Sequence, residues 1–490
     1  MNINDNMKTL KNIFAFLMLL PFVASCHFLE VEKTGKTSIK NFYSDVYALD
    51  AAVNGIYGLM YKFYDNYMVL YPEVAGDLIR FQSSASEWRQ QFDFISDENE
   101  ETTAVGYIWK NGYEIIANAN EVIQYGPSVS DRFPQQAASV RNYIAQAYFL
   151  RALAHLDLCL VYGQTYTYSD DASHLGTAVM TTIPDVKSKI ARSSASVTYK
   201  QILSDLQTAL DMFADGWTKG CFYASPAACK ALMARVCLYM GNYTDAKKYA
   251  SEVISDYGLS LTPRADYVAM FCGRKEGQEA IFRLNGLSGG MKLRSMFDYT
   301  SPQMFPSGKL LDIFSSDAHV WTGSDVRSEL LSYQAADGTE YSGVCMKFID
   351  TEDIAEAQKR YDPFVLRLSE MYLIRAEAAC HDGDTDTAVS DIAALEARAR
   401  GVKASINVTF SGIDDLAGII RRERVKELFL EGHRLFDLTR RHETLTRDAA
   451  CGSSVLTLTY PDDRFVLPIP LVELDANKAM QPNPVNSTQR

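Results

Sequence analysis

The sequence predicts an all-α fold, in which tetratricopeptide-like helical hairpins form a scaffold and a loop-rich insert interrupts it. Three observations predict this. Apolar residues recur at helical spacing over most of the chain. Two distant segments repeat one hairpin grammar. Residues 261–360 lose the helical period and become rich in Gly, Ser, Asp and aromatics. The 490 residues are 47% apolar and 22% charged, as in a globular chain rather than a disordered one. Lys and Arg number 48 against 61 Asp and Glu, a net charge of −13. Nucleic-acid phosphates need a basic face, so this balance argues against a nucleic-acid partner. The absence of an unbroken run of about 18 apolar residues excludes a polytopic membrane protein.

The N-terminus reads as a processing signal. Lys8 and Lys11 precede the apolar stretch from Ile13 to Val23, and Val23-Ala24-Ser25-Cys26 follows. A basic start, a short apolar run and small residues before a cut describe a secretory signal. A Cys at the cut is a lipobox, so residues 1–25 are expected to be removed and Cys26 to carry the lipid. Two or three acyl chains anchor firmly where one is marginal. His27 after the Cys gives no inner-membrane retention cue, which leaves an outer-membrane address.

Helical periodicity then places Ser44 to Tyr64, Thr103 to Tyr125, Gln135 to Tyr162 and Val197 to Phe213. Pro226 to Met240 and Thr244 to Asp256 form a hairpin across Gly241. Leu366 to Cys380 and Thr385 to Arg400 form another across Gly383. In both, small residues stand where the helices cross, a Gly-containing turn follows, and Ala lines the second helix. A long helix is expected from Asp414 to His442. Within the insert, Ala280 to Leu284 reads as a short strand, and Phe465 to Pro470 closes the chain as an extended segment. Residues 26–490 form one unit on this reading, with 26–260 and 361–490 as scaffold and 261–360 as insert.

Catalytic readings are weak. Arg424, Glu427, Glu431, Arg434 and Asp437 place opposite charges three or four residues apart, which suits pairing along one stripe better than acid–base work. Gly286-x-Ser288-x-Gly290 fits a nucleophile elbow but lacks the α/β sheet that motif needs. Asp382-Gly383-Asp384-x-Asp386 lacks the downstream Glu of a calcium loop and reads as a solvated turn. Eight cysteines besides Cys26 contain no C-x-x-C pair, so neither zinc nor a disulfide framework is expected. No catalytic residue, metal or cofactor is predicted.

Six blocks in order carry a resemblance. They are Arg141-x8-Leu150-Arg151-Ala152-Leu153-Ala154-His155, then Arg192-Ser193-Ser194 ahead of Tyr199, then Ala228-x2-Ala231-Leu232-x-Ala234-Arg235, then Arg375-Ala376-Glu377-Ala378. Arg422-Glu423-Arg424-x2-Glu427-Leu428-x2-Glu431-Gly432-x-Arg434-x2-Asp437 and Leu467-Pro468-Ile469-Pro470 complete them. Behind a lipobox, this series resembles the SusD/RagB family of Bacteroidetes surface lipoproteins. The tail Gln481-Pro482-Asn483-Pro484 and Ala224 depart from the family pattern without touching the helical core. The resemblance implies a SusD-like helical scaffold with a ligand-binding insert. It also implies a role: capture of an oligosaccharide, or in some members a peptide, outside the cell and delivery to a SusC-like TonB-dependent transporter. A surface scaffold that binds proteins through its repeats is the alternative from a different class.

Sugar rings stack an apolar face on aromatic side chains and offer hydroxyls to charged or amide partners at the edge. Trp88 and Trp321 stand in polar loops, whereas Trp109 lies in a periodic helix and Trp217 is ambiguous. The family's ligand site draws on an N-terminal loop and the insert. The expected ligand contacts are therefore Trp88, Trp321, Tyr299 and Phe297, with Asp77 and Arg80 on the hydroxyls.

Overall fold

The computed structural model describes residues 42–81, 87–99, 103–185, 187–271, 277–286, 292–315, 323–349, 361–402 and 407–486. Cys26, Cys272, Ser288 and Trp321 lie outside them.

Helix α1 (Val46–Phe63) starts where Asp45 accepts a hydrogen bond from the Ala48 amide. It runs into a π-helical turn at Tyr64–Met68 and the short α2 (Leu70–Val74). Strand β1 (Ile79–Phe81) and α3 (Arg89–Phe92) follow. Helix α4 (Ala104–Arg132) continues seven residues beyond the boundary expected at Tyr125, through Gly126-Pro127. Tertiary packing overrides the breaker signal here: a Cβ on Gly126 would meet Ile144 at 2.6 Å, so the small residue lets α4 lie directly on α5 (Ala137–Tyr162). By length and composition, Pro134–Tyr162 could cross a membrane, yet 89% of its most apolar 18-residue window is buried inside the protein. It is the central helix of the core. Its buried Arg151 is satisfied by Asp205 at 2.6 and 2.8 Å and by Asn120 at 2.7 Å.

Helix α6 (Ala195–Met212) packs on α5 and is capped by Ser194. The two expected hairpins follow the same local rules. In the first, α7 (Pro226–Tyr239) and α8 (Tyr243–Asp256) turn at Gly241, φ +71°, and Asn242 caps α8. In the second, α12 (Leu368–His381) and α13 (Thr385–Arg400) turn at Gly383, φ +78°, and Asp384 caps α13. Both turns need a left-handed residue, which glycine supplies without steric cost. Buried Ala228, Ala231, Ala234, Ala246 and Ala250 let the first pair approach; Ala376, Ala379 and Ala388 do so in the second. Arg235 joins the hairpins through a bidentate contact to Glu370 at 2.6 and 2.7 Å.

Between the hairpins lie short pieces. They are α9 (Arg264–Phe271), β2 (Ala280–Arg283), α10 (Lys292–Phe297), β3 (Met304–Pro306), α11 (Gly308–Ser315), β4 (Ser332–Gln334), β5 (Glu340–Ser342) and β6 (Phe364–Arg367). Strands pair only in twos, β1 with β3, β2 with β6 and β4 with β5, all antiparallel. From Asp45 onward the chain is one compact unit.

The long last helix expected at Asp414 to His442 is broken. Helix α14 (Ile413–Leu428) stops, Leu430 and Gly432 adopt φ of 59° and 88°, and α15 (Arg434–Arg440) begins. A Cβ on Gly432 would meet the Met68 carbonyl at 2.8 Å, so this corner requires glycine. One buried carboxylate oxygen of Glu73 accepts the amides of Gly432 and His433 at 2.9 Å and of Arg434 at 3.3 Å, which caps α15. The stripe of i,i+4 charge pairs is therefore replaced by pairs between elements. Glu427 meets Arg327, Arg367 and Arg398; Glu431 meets Arg367 and Lys347; Arg434 meets Asp77. Only Arg424 keeps a partner from the predicted set, Asp437 at 2.7 Å. After β7 (Leu445–Thr446), β8 (Thr457–Leu458) and α16 (Leu471–Ala476), the divergent tail docks by Asn483, which donates to the Tyr162 and Leu467 carbonyls at 2.8 Å.

Buried His155 is neutral: its Nδ1–H donates to the Arg151 carbonyl at 3.0 Å, and Nε2 accepts the Met180 amide at 3.2 Å. Burial holds its pKa down at about 3. The unfolded chain takes a proton near pH 6.5 that the native state refuses. The stability His155 contributes is therefore full above that pH and lost as pH falls toward 3. In urea unfolding, the wild type should lose about 2 kcal/mol more than His155→Asn between pH 7 and pH 5. Equal losses would contradict this.

Candidate functional site

The hairpin β4–β5 is held at both feet. Ahead of it, fully buried Arg327 meets Asp325 and Glu396 at 2.6 Å, Glu423 at 2.9 Å and Glu427 at 3.2 Å. Behind it, buried Lys347 donates to Glu431 at 2.6 Å and to the carbonyls of Phe429 and Glu427 at 2.9 and 3.1 Å. Backbone bonds from Val344 and Met346 to Leu331 and Leu330 close the base. A two-stranded hairpin is marginal alone, so these feet give it a defined place.

Tyr333 and Tyr341 are direct cross-strand partners on this hairpin, and both are half-exposed. Tyr299 packs against them, its ring centre 4.7 Å from Tyr333 and 5.0 Å from Tyr341. Three adjoining, half-exposed phenol rings at a hairpin surface contribute little to a core and offer faces on which a ring-shaped ligand can stack. Burial beside Tyr333 and Asp298 pushes the Tyr299 pKa up, so its hydroxyl is a donor at neutral pH.

A second aromatic group approaches the same helix from the N-terminal side. Tyr67 stacks on Tyr107 with ring centres 6.0 Å apart, and both are half-exposed. Burial pushes the Tyr67 pKa up to about 12. Asp65, in the same π-turn, accepts the Lys292 amide at 3.1 Å, and the Lys292 side chain meets Glu87 at 2.7 Å. Helix α10 thus starts at the Tyr67 group and leads to Tyr299. Its six residues span about 9 Å, the scale of a short oligomer rather than one ring.

The structure redistributes the residues expected at the site. Tyr299 is on the surface. Trp88 is 1% exposed and lies 6.2 Å from Tyr67, ring centre to ring centre, so it supports that tyrosine from beneath. The serine-rich loop before it suggested exposure, but the chain turns inward at Trp88. Phe297 is also buried, against Phe348. Asp77 is fully enclosed by Arg434 at 2.5 and 3.0 Å and Lys309 at 2.5 Å, and these cations hold its carboxyl below the usual range against burial. It clamps α2 to α15 and has no free edge for a sugar. Arg80 lays its guanidinium 4.3 Å from the Phe305 ring centre on the paired strand. Trp321 lies outside the described residues. Tyr67, Tyr107, Tyr333 and Tyr341 were missed. For the last two a signal existed: they flank the Asp337-Gly338 turn in Ser-Tyr-Gln and Glu-Tyr-Ser, a hairpin pattern read there only as a loop.

The carboxylates of α14 are paired with cations, and among the described residues no group of three His, Cys, Asp or Glu side chains could hold a metal ion. Among the described residues, Cys159, Cys229, Cys237, Cys345, Cys380 and Cys451 are buried thiols. The chain belongs to the SusD family, whose model matches residues 216–485, more than half its length. A second model, SusD-like and described as starch-binding and associating with the outer membrane, matches residues 27–238. The family comprises non-catalytic nutrient-binding proteins that work with TonB-dependent transporters at the outer membrane. The SusD-like protein P2 of Formosa agariphila is 24% identical over 96% of this chain and 98% of its own. A SusD superfamily crystal structure from Bacteroides thetaiotaomicron superposes with TM-score 0.78 at 24% identity, covering 90% of this chain and 100% of that one. A SusD-like carbohydrate-binding protein from Bacteroides vulgatus gives 0.71 at 20% identity over 89% and 97%.

Trp88→Ala should lower the unfolding free energy by about 3–5 kcal/mol, as for other buried aromatics, while folded variant retains ligand affinity within a few-fold. A variant of wild-type stability with abolished binding would return Trp88 to the ligand.

Proposed function

We propose that this protein captures an oligosaccharide on the surface formed by Tyr299, Tyr333 and Tyr341, extended along α10 toward Tyr67 and Tyr107, and hands it to a TonB-dependent transporter. The carrying observation is the cross-strand Tyr333–Tyr341 pair, met edge-on by Tyr299, on a hairpin whose tip is otherwise polar and exposed. Phenol rings take the C–H faces of sugars, and their hydroxyls reach the edges. Arg294 and Asp298 flank Tyr299 and supply charged partners for hydroxyl groups. The carbohydrate-binding relative from Bacteroides vulgatus supports this ligand class.

The lipid anchor belongs to the same proposal. Cys26 after Val23-Ala24-Ser25 is the acylated residue, residues 1–25 are the removed signal, and the mature chain is tethered to the outer membrane facing outward. Capture needs no chemical step, so affinity comes from stacking, hydrogen bonds and shape.

A glycan array identifies the ligand, and isothermal titration then measures it. Tyr333→Ala and Tyr341→Ala should each weaken binding about ten-fold with unchanged thermal stability. Unchanged affinity in both variants would reject this face.

A further inference from the structure

The loop from Phe213 to Ser225, which joins α6 to α7, walls a second cleft of about 650 Å³ that shares no residue with the tyrosine face. Its volume lies within the range of small-ligand pockets. Trp217 lies on it, half-exposed, with its indole parallel to Phe213 (ring centres 4.9 Å apart, planes 20° apart). That stack covers one indole face and leaves the other outside the Phe213 contact. Tyr257 and Leu259 contribute further to the lining, and Asp215 and Asp256 bring carboxylates. Asp215 takes no side-chain hydrogen bond or ion pair among the described residues, and neither does the Trp217 indole N–H. Among the described residues no Lys or Arg lines the cleft. Lys230 pairs with Glu252 at 2.8 Å and lies 5.5 Å from the ring centre of Tyr257 at the cleft wall, and the Lys219 ammonium sits 4.2 Å from the Tyr223 ring centre.

We propose that this cleft is a second sugar subsite, taking one terminal ring of a neutral glycan against Trp217 with its hydroxyls on Asp215. An aromatic platform beside an unsatisfied carboxylate suits a polyhydroxylated ring. The Asp215 and Asp256 carboxylates disfavour uronic and sulfated sugars. The subsite gives a long chain a second hold on the molecule, so that two weak contacts act together.

The test uses the full-length chain carrying Tyr333→Ala and Tyr341→Ala, which removes the tyrosine face, so that failure here is separate from failure of that face. Saturation-transfer NMR and titration are run with maltohexaose, laminarihexaose, mannohexaose and xylohexaose at millimolar concentration, and with trigalacturonate. At least one neutral hexaose should bind, with its Kd raised about ten-fold by Trp217→Ala and several-fold by the milder Asp215→Asn. Trigalacturonate should not bind. Melting curves of both variants confirm folding. The proposal is overturned if no neutral hexaose binds or if neither substitution changes its binding. It is equally overturned if Trp217→Ala leaves sugar binding intact but reduces co-purification of the transporter, which would assign the cleft to that protein.

Discussion

The placement of the β4–β5 hairpin depends on one buried cluster of ion pairs around α14. Glu279, Asp325, Glu396, Glu423, Glu427 and Glu431 meet Arg327, Lys347, Arg367, Arg398, Arg400 and Lys426, six acidic and six basic side chains. A lone ion there would cost several kcal/mol, so the cluster is tolerable only because it is balanced and hydrogen-bonded. Its members come from the insert, from β6, from α13 and from α14. None of these elements could be displaced without exposing the others' charges to an apolar interior. The specificity of this arrangement, rather than net stability, is what such a network supplies.

The consequence is mechanical. Arg327 and Lys347 bracket the β4–β5 hairpin, so the two tyrosines ride on a support anchored directly to the repeat scaffold. The second group, Tyr67 and Tyr107, sits on α1's π-turn extension and α4, and α10 joins the two. The repeats thus act as a base, and the short irregular elements carry the exposed tyrosines proposed to take the ligand.

The sequence pattern was most informative where local rules and packing agree. Small residues and the Gly241 and Gly383 turns identified both hairpins, and Arg400 ends α13 at the expected place. It failed where long-range contacts decide. Glu427 and Glu431 had arginines one turn away along the chain, but burial selects partners from elements 29 to 100 residues distant. The corner at Gly432 looked helical because its charges kept helical spacing; Met68 and Glu73, far earlier in the chain, impose the break. Exposure was the least readable property. A polar neighbourhood suggested an open Trp88, and a helical period correctly suggested a covered Trp109, but only the fold shows which rings reach solvent.

Glu427 is the direct test, since it meets Arg327, Arg367 and Arg398 together. Native-state hydrogen exchange on Glu427→Gln, compared with the wild type, reads local opening element by element. The account predicts that amides of residues 326–346 lose protection at least ten-fold, with ligand affinity falling in parallel, while α7 and α8 keep theirs. Unchanged protection of that hairpin, with binding intact, would contradict it.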